Sequence, residues 1–193
     1  MVNHLFLLYT IFYRFATKIL KKEVGILIIL GIDPGLATMG YGVVKAERGK
    51  IEPIDYGVVL TPKEESLPRR LELLQQGLTE VIEKYKPDEA ALEELFFCKN
   101  ITTGINVAHA RGVILLTLVK HCTKLFEYTP MQIKQALTGY GRAEKAQIQQ
   151  VVTTMLHLKQ IPKPDDAADA LAVAVLHAQT GRLSAPFGIR GRT

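Results

Sequence analysis

The chain contains no tryptophan, which excludes nothing on its own, but its other scarcities are informative. Only two cysteines, Cys98 and Cys122, occur in 193 residues. That is too few for a disulfide scaffold or a cysteine-rich zinc site, and fits two thiols in a reducing cytoplasm. The N-terminal apolar run, residues 5–13 (LFLLYTIFY), stops after nine residues at Arg14. This is about half of what a transmembrane helix requires. No basic residue precedes the run and no small-residue cleavage site follows it, so it does not read as a secretory signal. A membrane partner is not expected. A GxSxG elbow, a P-loop lysine signature and a CxxC pair are all missing, and His4, His109, His121, His157 and His177 lack metal-ligand spacing.

What is present is a foldable core. The chain is 48% hydrophobic and 22% charged, with a mean hydropathy of +0.12, a composition that excludes disorder and suits one domain with tails. The net charge of +5 is unevenly spread. Residues 47–96 hold seven Lys/Arg against twelve acids, whereas residues 97–163 hold nine Lys/Arg against two acids, a local net of +7. A basic segment of this kind suits a polyanionic partner or a merely solvated face.

Residues 25–32 (GILIILGI) read as a buried strand stopped by Asp33-Pro34-Gly35. Returning strands are expected over Tyr41–Ala46 and, after an Arg48-Gly49-Lys50 turn, Ile54–Leu60. Ser66 and Pro68 open an amphipathic helix that ends near Lys86. A strand at Ala90–Leu95, a mostly apolar helix from Thr102 to about Cys122 and a strand at Leu125–Thr129 follow. Pro130–Leu137, Glu144–Leu158 and Asp165–Thr180 read as helices. The pattern predicts an α/β fold: a mixed five-stranded sheet, three antiparallel strands then parallel additions, flanked by helices. The domain spans residues 27–181. Residues 1–26 form an atypical extension, read as a weak amphipathic anchor, a disordered tail or residues preceding the true start, with the last two readings preferred. Residues 182–193 form a mobile tail.

Four acids stand out against apolar surroundings. The last helix is apolar on every side except for its opening acids, so it is buried. Asp166 and Asp169, three residues apart, share one of its faces. A helix cap explains one of them, Asp165 or Asp166, but not the second, a turn deeper, for which no basic partner is obvious in the sequence. Asp33 ends a wholly apolar strand, and Glu93 follows Ala-Ala-Leu near the end of the fourth. Taken singly, each is an ordinary strand-end acid. Together they suggest a converging set of hard oxygen donors suited to Mg²⁺ or Mn²⁺, two ions of which assist phosphodiester hydrolysis. The basic segment, including Lys99 and Arg142, would then face the substrate backbone.

Gly31-Ile-Asp-Pro-Gly35 with Gly40-Tyr-Gly42, Leu92-Glu-Glu-Leu-Phe-Phe-Cys-Lys-Asn100, Ala110-Arg-Gly112, Tyr128-Thr-Pro-Met-Gln-Ile-Lys134, Gly139-Tyr-Gly-Arg-Ala-Glu-Lys-Ala-Gln147 and Asp166-Ala-Ala-Asp-Ala-Leu171 occur in this order. This array resembles the RuvC family of bacterial Holliday-junction resolvases from about Leu27 to Gln179. The resemblance implies a ribonuclease H-like fold, a cytoplasmic homodimer and paired Mg²⁺-dependent cleavage of a four-way DNA junction in recombination and repair. It also implies two ions per site, with Mn²⁺ as a substitute, and cooperation with the RuvA–RuvB branch-migration complex. By motif position the catalytic and metal-binding acids are Asp33, Glu93, Asp166 and Asp169. Phe96 matches an aromatic placed against junction DNA, and Lys134 and Lys145 match basic residues tied to DNA binding and activity. Phe96 and Phe97 also suit the core, and both lysines suit an ordinary exposed surface. Ile105, Val107, Ala108 and Ile114 fit either a dimer face or the core. Rival readings are a sugar-kinase or actin-like ATPase, a non-catalytic junction-binding module and another ribonuclease H-like nuclease.

Overall fold

The computed structural model describes residues 25–94, 101–121 and 124–180. The expected tails, almost all of residues 1–26 and the whole of 182–193, lie outside the described residues, as do Phe96, Phe97, Lys99 and both cysteines. Five strands form one sheet in the order β3-β2-β1-β4-β5. They are β1 (Ile26–Asp33), β2 (Thr38–Glu47), β3 (Lys50–Leu60), β4 (Glu89–Glu93) and β5 (Lys124–Tyr128). The helices are α1 (Leu67–Tyr85), α2 (Ile101–His121), α3 (Pro130–Thr138), α4 (Lys145–Met155) and α5 (Asp165–Thr180). β1–β2 and β2–β3 pair antiparallel, while β1–β4 and β4–β5 pair parallel. This is the mixed sheet expected from the sequence.

The central strand β1 is covered on both faces, which explains its unbroken apolar run. Leu30, Ile32, Val43, Ala90 and Leu92 pack with Leu74 and Leu78 of α1 and Ile114 and Leu118 of α2. Ile29, Val44, Ala91 and Phe126 pack on the other face with Ile148 and Val152 of α4 and the buried length of α5. Fully burying one such aliphatic side chain contributes about 1.5–3 kcal/mol. Ile114 is therefore core and not part of an exposed dimer face, and Val107 is half-buried. Among the described residues, Ile105, Leu116 and Val119 are the large apolar side chains that α2 exposes.

Strand parity sets up the site. Side chains two apart share a face, so Asp33 lies on the face of Ile29 and Gly31, and Glu93 on that of Ala91. Both therefore point toward α5. The paired glycines of β1 and β2, Gly31↔Gly42, with Gly40 opposite Asp33, let α5 sit directly on the sheet. A Cβ at Gly31 would fall 2.2 Å from the Ala170 carbonyl oxygen, and one at Gly40 2.0 Å from that of Asp166. Neither contact is possible for a real side chain. Alanines at 167, 168, 170, 172 and 174 complete the close approach from the helix side.

Several boundaries differ from expectation, β2 starting three residues early at Thr38 and β4 ending two residues early at Glu93. β3 starts at Lys50, because Ile54 is skipped in a bulge opposite Val43/Val44 and the strand continues through Pro53. An edge strand tolerates proline and a bulge where a central one does not. α4 ends at Met155, and His157 takes a left-handed φ of 51° that stops it.

Candidate active site

The start of α5 brings Asp166, in its first turn, and Asp169, in its second, over the C-terminal ends of β1 and β4. Its first-turn acids also suit the partial positive charge of a helix N-terminus. Asp33 is pushed up to about 7 by burial first, then by the charges of Glu93, Asp169 and Asp166, with Lys145 opposing. Burial, followed by Asp169, likewise raises the pKa of Glu93. Asp169 is raised by burial, against the pull of Lys145. Acids separated by up to 136 residues in sequence thus lie within electrostatic reach of one another. Among the described residues, no group of three or more His, Cys, Asp or Glu side chains is gathered at metal-cage spacing. Like charges without a cation between them repel.

Asp169 does have a basic partner, contrary to the expectation that none lay near. Lys145 Nζ sits 2.7 Å from Asp169 Oδ2 and 3.7 Å from Asp165 Oδ2. Burial works against the Lys145 charge, yet the hydrogen bond and the charge of Asp169 hold its pKa above the usual lysine value. Asp165 turns outward to Lys163 at 3.1 Å and does not contribute to the Asp33 shift, which leaves Asp166 as the inward member of that pair.

Two short-range devices aim the lysines. Thr129 and Gln132 cap α3 reciprocally, Gln132 N donating to Thr129 Oγ1 at 3.1 Å and Thr129 N to Gln132 Oε1 at 2.8 Å. Pro130 fills the first helical position. Glu144 N donates to Gln147 Oε1 at 2.9 Å at the start of α4. Lys134 and Lys145 consequently line, with Glu93 and Asp169, one cavity of about 290 Å³ walled by Pro130, Ile133, Ile148 and Ala172. A larger cavity of about 490 Å³ between α3 and α4 has no charged lining residue.

Arg142 is exposed in the loop between α3 and α4, where Gly139 takes φ 72°. Phe96 and Lys99 fall outside the described residues. The sequence reading did not single out Tyr140 and Met131, both exposed beside this loop, or Arg111, which donates to the Glu93 carbonyl. An arginine inside an otherwise apolar helix was the available signal for Arg111. Away from the site, fully buried His177 bridges Tyr128 OH at 2.7 Å and Glu89 Oε2 at 2.9 Å, a satisfied core histidine.

Comparison with known proteins places this arrangement. The family model for crossover junction endodeoxyribonuclease RuvC matches residues 29–177. A crossover junction endodeoxyribonuclease RuvC of Alkaliphilus oremlandii is 51% identical over 164 residues, covering 85% of this chain and all of that one. The structure of Thermus thermophilus RuvC is 34% identical with a TM-score of 0.75, covering 81% of this chain and 96% of that one. The same Thermus protein solved with a Holliday junction substrate matches at 32% identity and TM-score 0.75, over 82% of this chain and 97% of that one. The ribonuclease H-like fold expected from the motifs is the fold found.

Proposed function

This chain belongs to the RuvC family of crossover junction endodeoxyribonucleases, and on that premise we propose that Asp33, Glu93, Asp166 and Asp169 hold the divalent cations with which it hydrolyses paired phosphodiesters at a four-way DNA junction. The observation that carries this reading is the convergence of four acids from the ends of β1 and β4 and the start of α5, two of them, Glu93 and Asp169, lining one cavity with Lys134 and Lys145, and it agrees with the raised pKa of Asp33. An all-carboxylate donor set in a partly dry site fits Mg²⁺, with Mn²⁺ as a substitute, because both are hard ions that prefer oxygen. When bound, such ions lower the pKa of an attacking water and offset the charge on the leaving oxygen.

The chain's own groups divide the remaining work. Asp33, on the central strand, would hold the ions together with Glu93 from β4 and Asp166 and Asp169 from α5, and Glu93 would also orient the attacking water. Lys134 and Lys145 hold positive charge beside these acids, where a scissile phosphate must approach. Arg142, with Lys99, takes flanking phosphates, and Phe96 stacks on an unpaired base at the crossover, a contact type worth about 1–3 kcal/mol.

Symmetric cleavage calls for two copies of the site. The exposed Ile105, Leu116 and Val119 of α2 supply the apolar face for a homodimer. Among the described residues no helix is long and apolar enough to cross a membrane. The chain acts on chromosomal junctions in the cytoplasm, alongside the RuvA–RuvB motor.

A synthetic four-way junction, incubated with Mg²⁺ or with Ca²⁺ and resolved on a denaturing gel, tests this. Paired symmetric nicks in Mg²⁺ only, lost in Asp33→Asn while junction binding persists, are the expected result. Equal cleavage of a forked or RNA–DNA duplex, or full activity of Asp33→Asn, would refute it.

A further inference from the structure

We propose that Arg111 is a positioning residue that fixes the backbone carrying Glu93, and that Glu127 braces it. The inference rests on the reading of Glu93 given above. β4 ends at Glu93, and its pairing with β1 stops one rung earlier, at Ile32↔Leu92. The Glu93 carbonyl is therefore left over at the strand end. Arg111 Nη1 donates to it at 3.2 Å. The N–H of the same peptide unit, on Glu94, donates to the Tyr128 carbonyl at 2.8 Å. Both polar atoms of the Glu93–Glu94 peptide are held, one by α2 and one by β5.

The arginine is itself anchored. Its Nη2 pairs with Glu127 Oε1, and the two side chains are only 16% and 24% exposed. Glu127 lies opposite Leu92 in the β4–β5 register, so one guanidinium ties α2, β4 and β5 together. A mostly buried ion pair in an otherwise apolar layer is poor value for stability alone, since desolvation offsets its attraction. Two N–H groups in a rigid fork are well suited to fixing a direction. Loosening this hold lets the Glu93–Glu94 peptide rotate and swings the Glu93 carboxylate away from Asp33 and Asp169. Misplacing a reacting group by about 1 Å costs on the order of 100-fold in rate.

The test uses the full chain, with Arg111→Gln, Arg111→Lys, Glu127→Gln and a reference Glu93→Gln. Three quantities are read: junction affinity in Ca²⁺, single-turnover cleavage rate against Mg²⁺ or Mn²⁺ concentration, and the metal-induced rise in unfolding temperature without DNA. For Arg111→Gln, the maximal rate is expected to fall roughly 100-fold. Junction affinity should stay within about threefold, and the metal midpoint should move up in both the kinetic and the thermal titration. Arg111→Lys keeps one donor and should recover part of the rate. Glu127→Gln should shift the same quantities in the same direction by less, which keeps the test decisive should Arg111→Gln not fold. Wild-type rate and metal midpoint in the folded Arg111 and Glu127 variants, or losses that track only the folded fraction with an unmoved midpoint, overturn the inference. If Glu93→Gln is inactive in that case, the reading of Glu93 stands and the clamp alone fails. Full activity in Glu93→Gln removes both.

Discussion

Replacing Asp33 with asparagine should stabilise the metal-free protein, and by more as pH rises. The folded Asp33 carboxyl sits at about 7, against 3.8 for a free aspartate. Between those values the folded chain binds a proton that the unfolded chain has released, so stability falls as pH rises through the window. At about 1.4 kcal/mol per pKa unit, the Asp33 penalty rises from on the order of 2 kcal/mol at pH 5 to about 4 kcal/mol at pH 8.5. Asparagine keeps the shape and removes the charge. For a chain of this length each kcal/mol moves the unfolding midpoint by about 2–4 °C, so the advantage of Asp33→Asn should widen by about 5–10 °C between those two pH values. The assay is thermal unfolding by circular dichroism in EDTA, with wild type and variant compared at both pH values. Added Mn²⁺ should narrow the gap at pH 8.5 by stabilising the wild type. A constant offset at both pH values, or a variant less stable than wild type at pH 8.5, would show that the four acids do not burden one another.

Two further substitutions probe the scaffold. Gly40→Ala places a Cβ 2.0 Å from the Asp166 carbonyl oxygen, so α5 must lift. A destabilisation of about 1–3 kcal/mol in chemical denaturation and a loss of cleavage on the order of 100-fold are expected. His177→Leu removes the group that, with Lys124, holds the Glu89 carboxyl below its usual range despite burial. Breaking that buried pair should cost about 3 kcal/mol in urea unfolding.

Much of this architecture was legible because burial on two sides leaves a plain mark. β1 and α5 are apolar along their whole length, and acids placed within such segments are conspicuous. The Gly31 and Gly40 motifs were readable as motifs, but their physical purpose was not. Only the packed helix reveals that a carbonyl oxygen occupies the space a Cβ would need. The Lys145–Asp169 pair joins residues 24 apart in sequence, through packing of α4 on α5 that no local pattern records. Periodicity leaves Ile114 open between interface and core because it marks an apolar face without saying what covers it. The sheet itself covers Ile114, while Leu116 and Val119 look outward.

The charge balance of the site carries one further consequence. Lys145 and Lys134 together bring fewer positive charges than Asp33, Glu93, Asp166 and Asp169 bring negative ones, and without metal a proton on Asp33 offsets part of that deficit. A carboxylate must be deprotonated to coordinate, so metal binding displaces that proton. With Asp33 at about 7, it is roughly three-quarters protonated at pH 6.5 and about one-tenth at pH 8. Calorimetric titration with Mn²⁺ in two buffers of different ionisation enthalpy should therefore count about three-quarters of a proton released from Asp33 at pH 6.5 and about one-tenth at pH 8. In Asp33→Asn the count at pH 6.5 should drop accordingly. Equal proton counts at the two pH values in the wild type would mean that Asp33 is already ionised beside its neighbours.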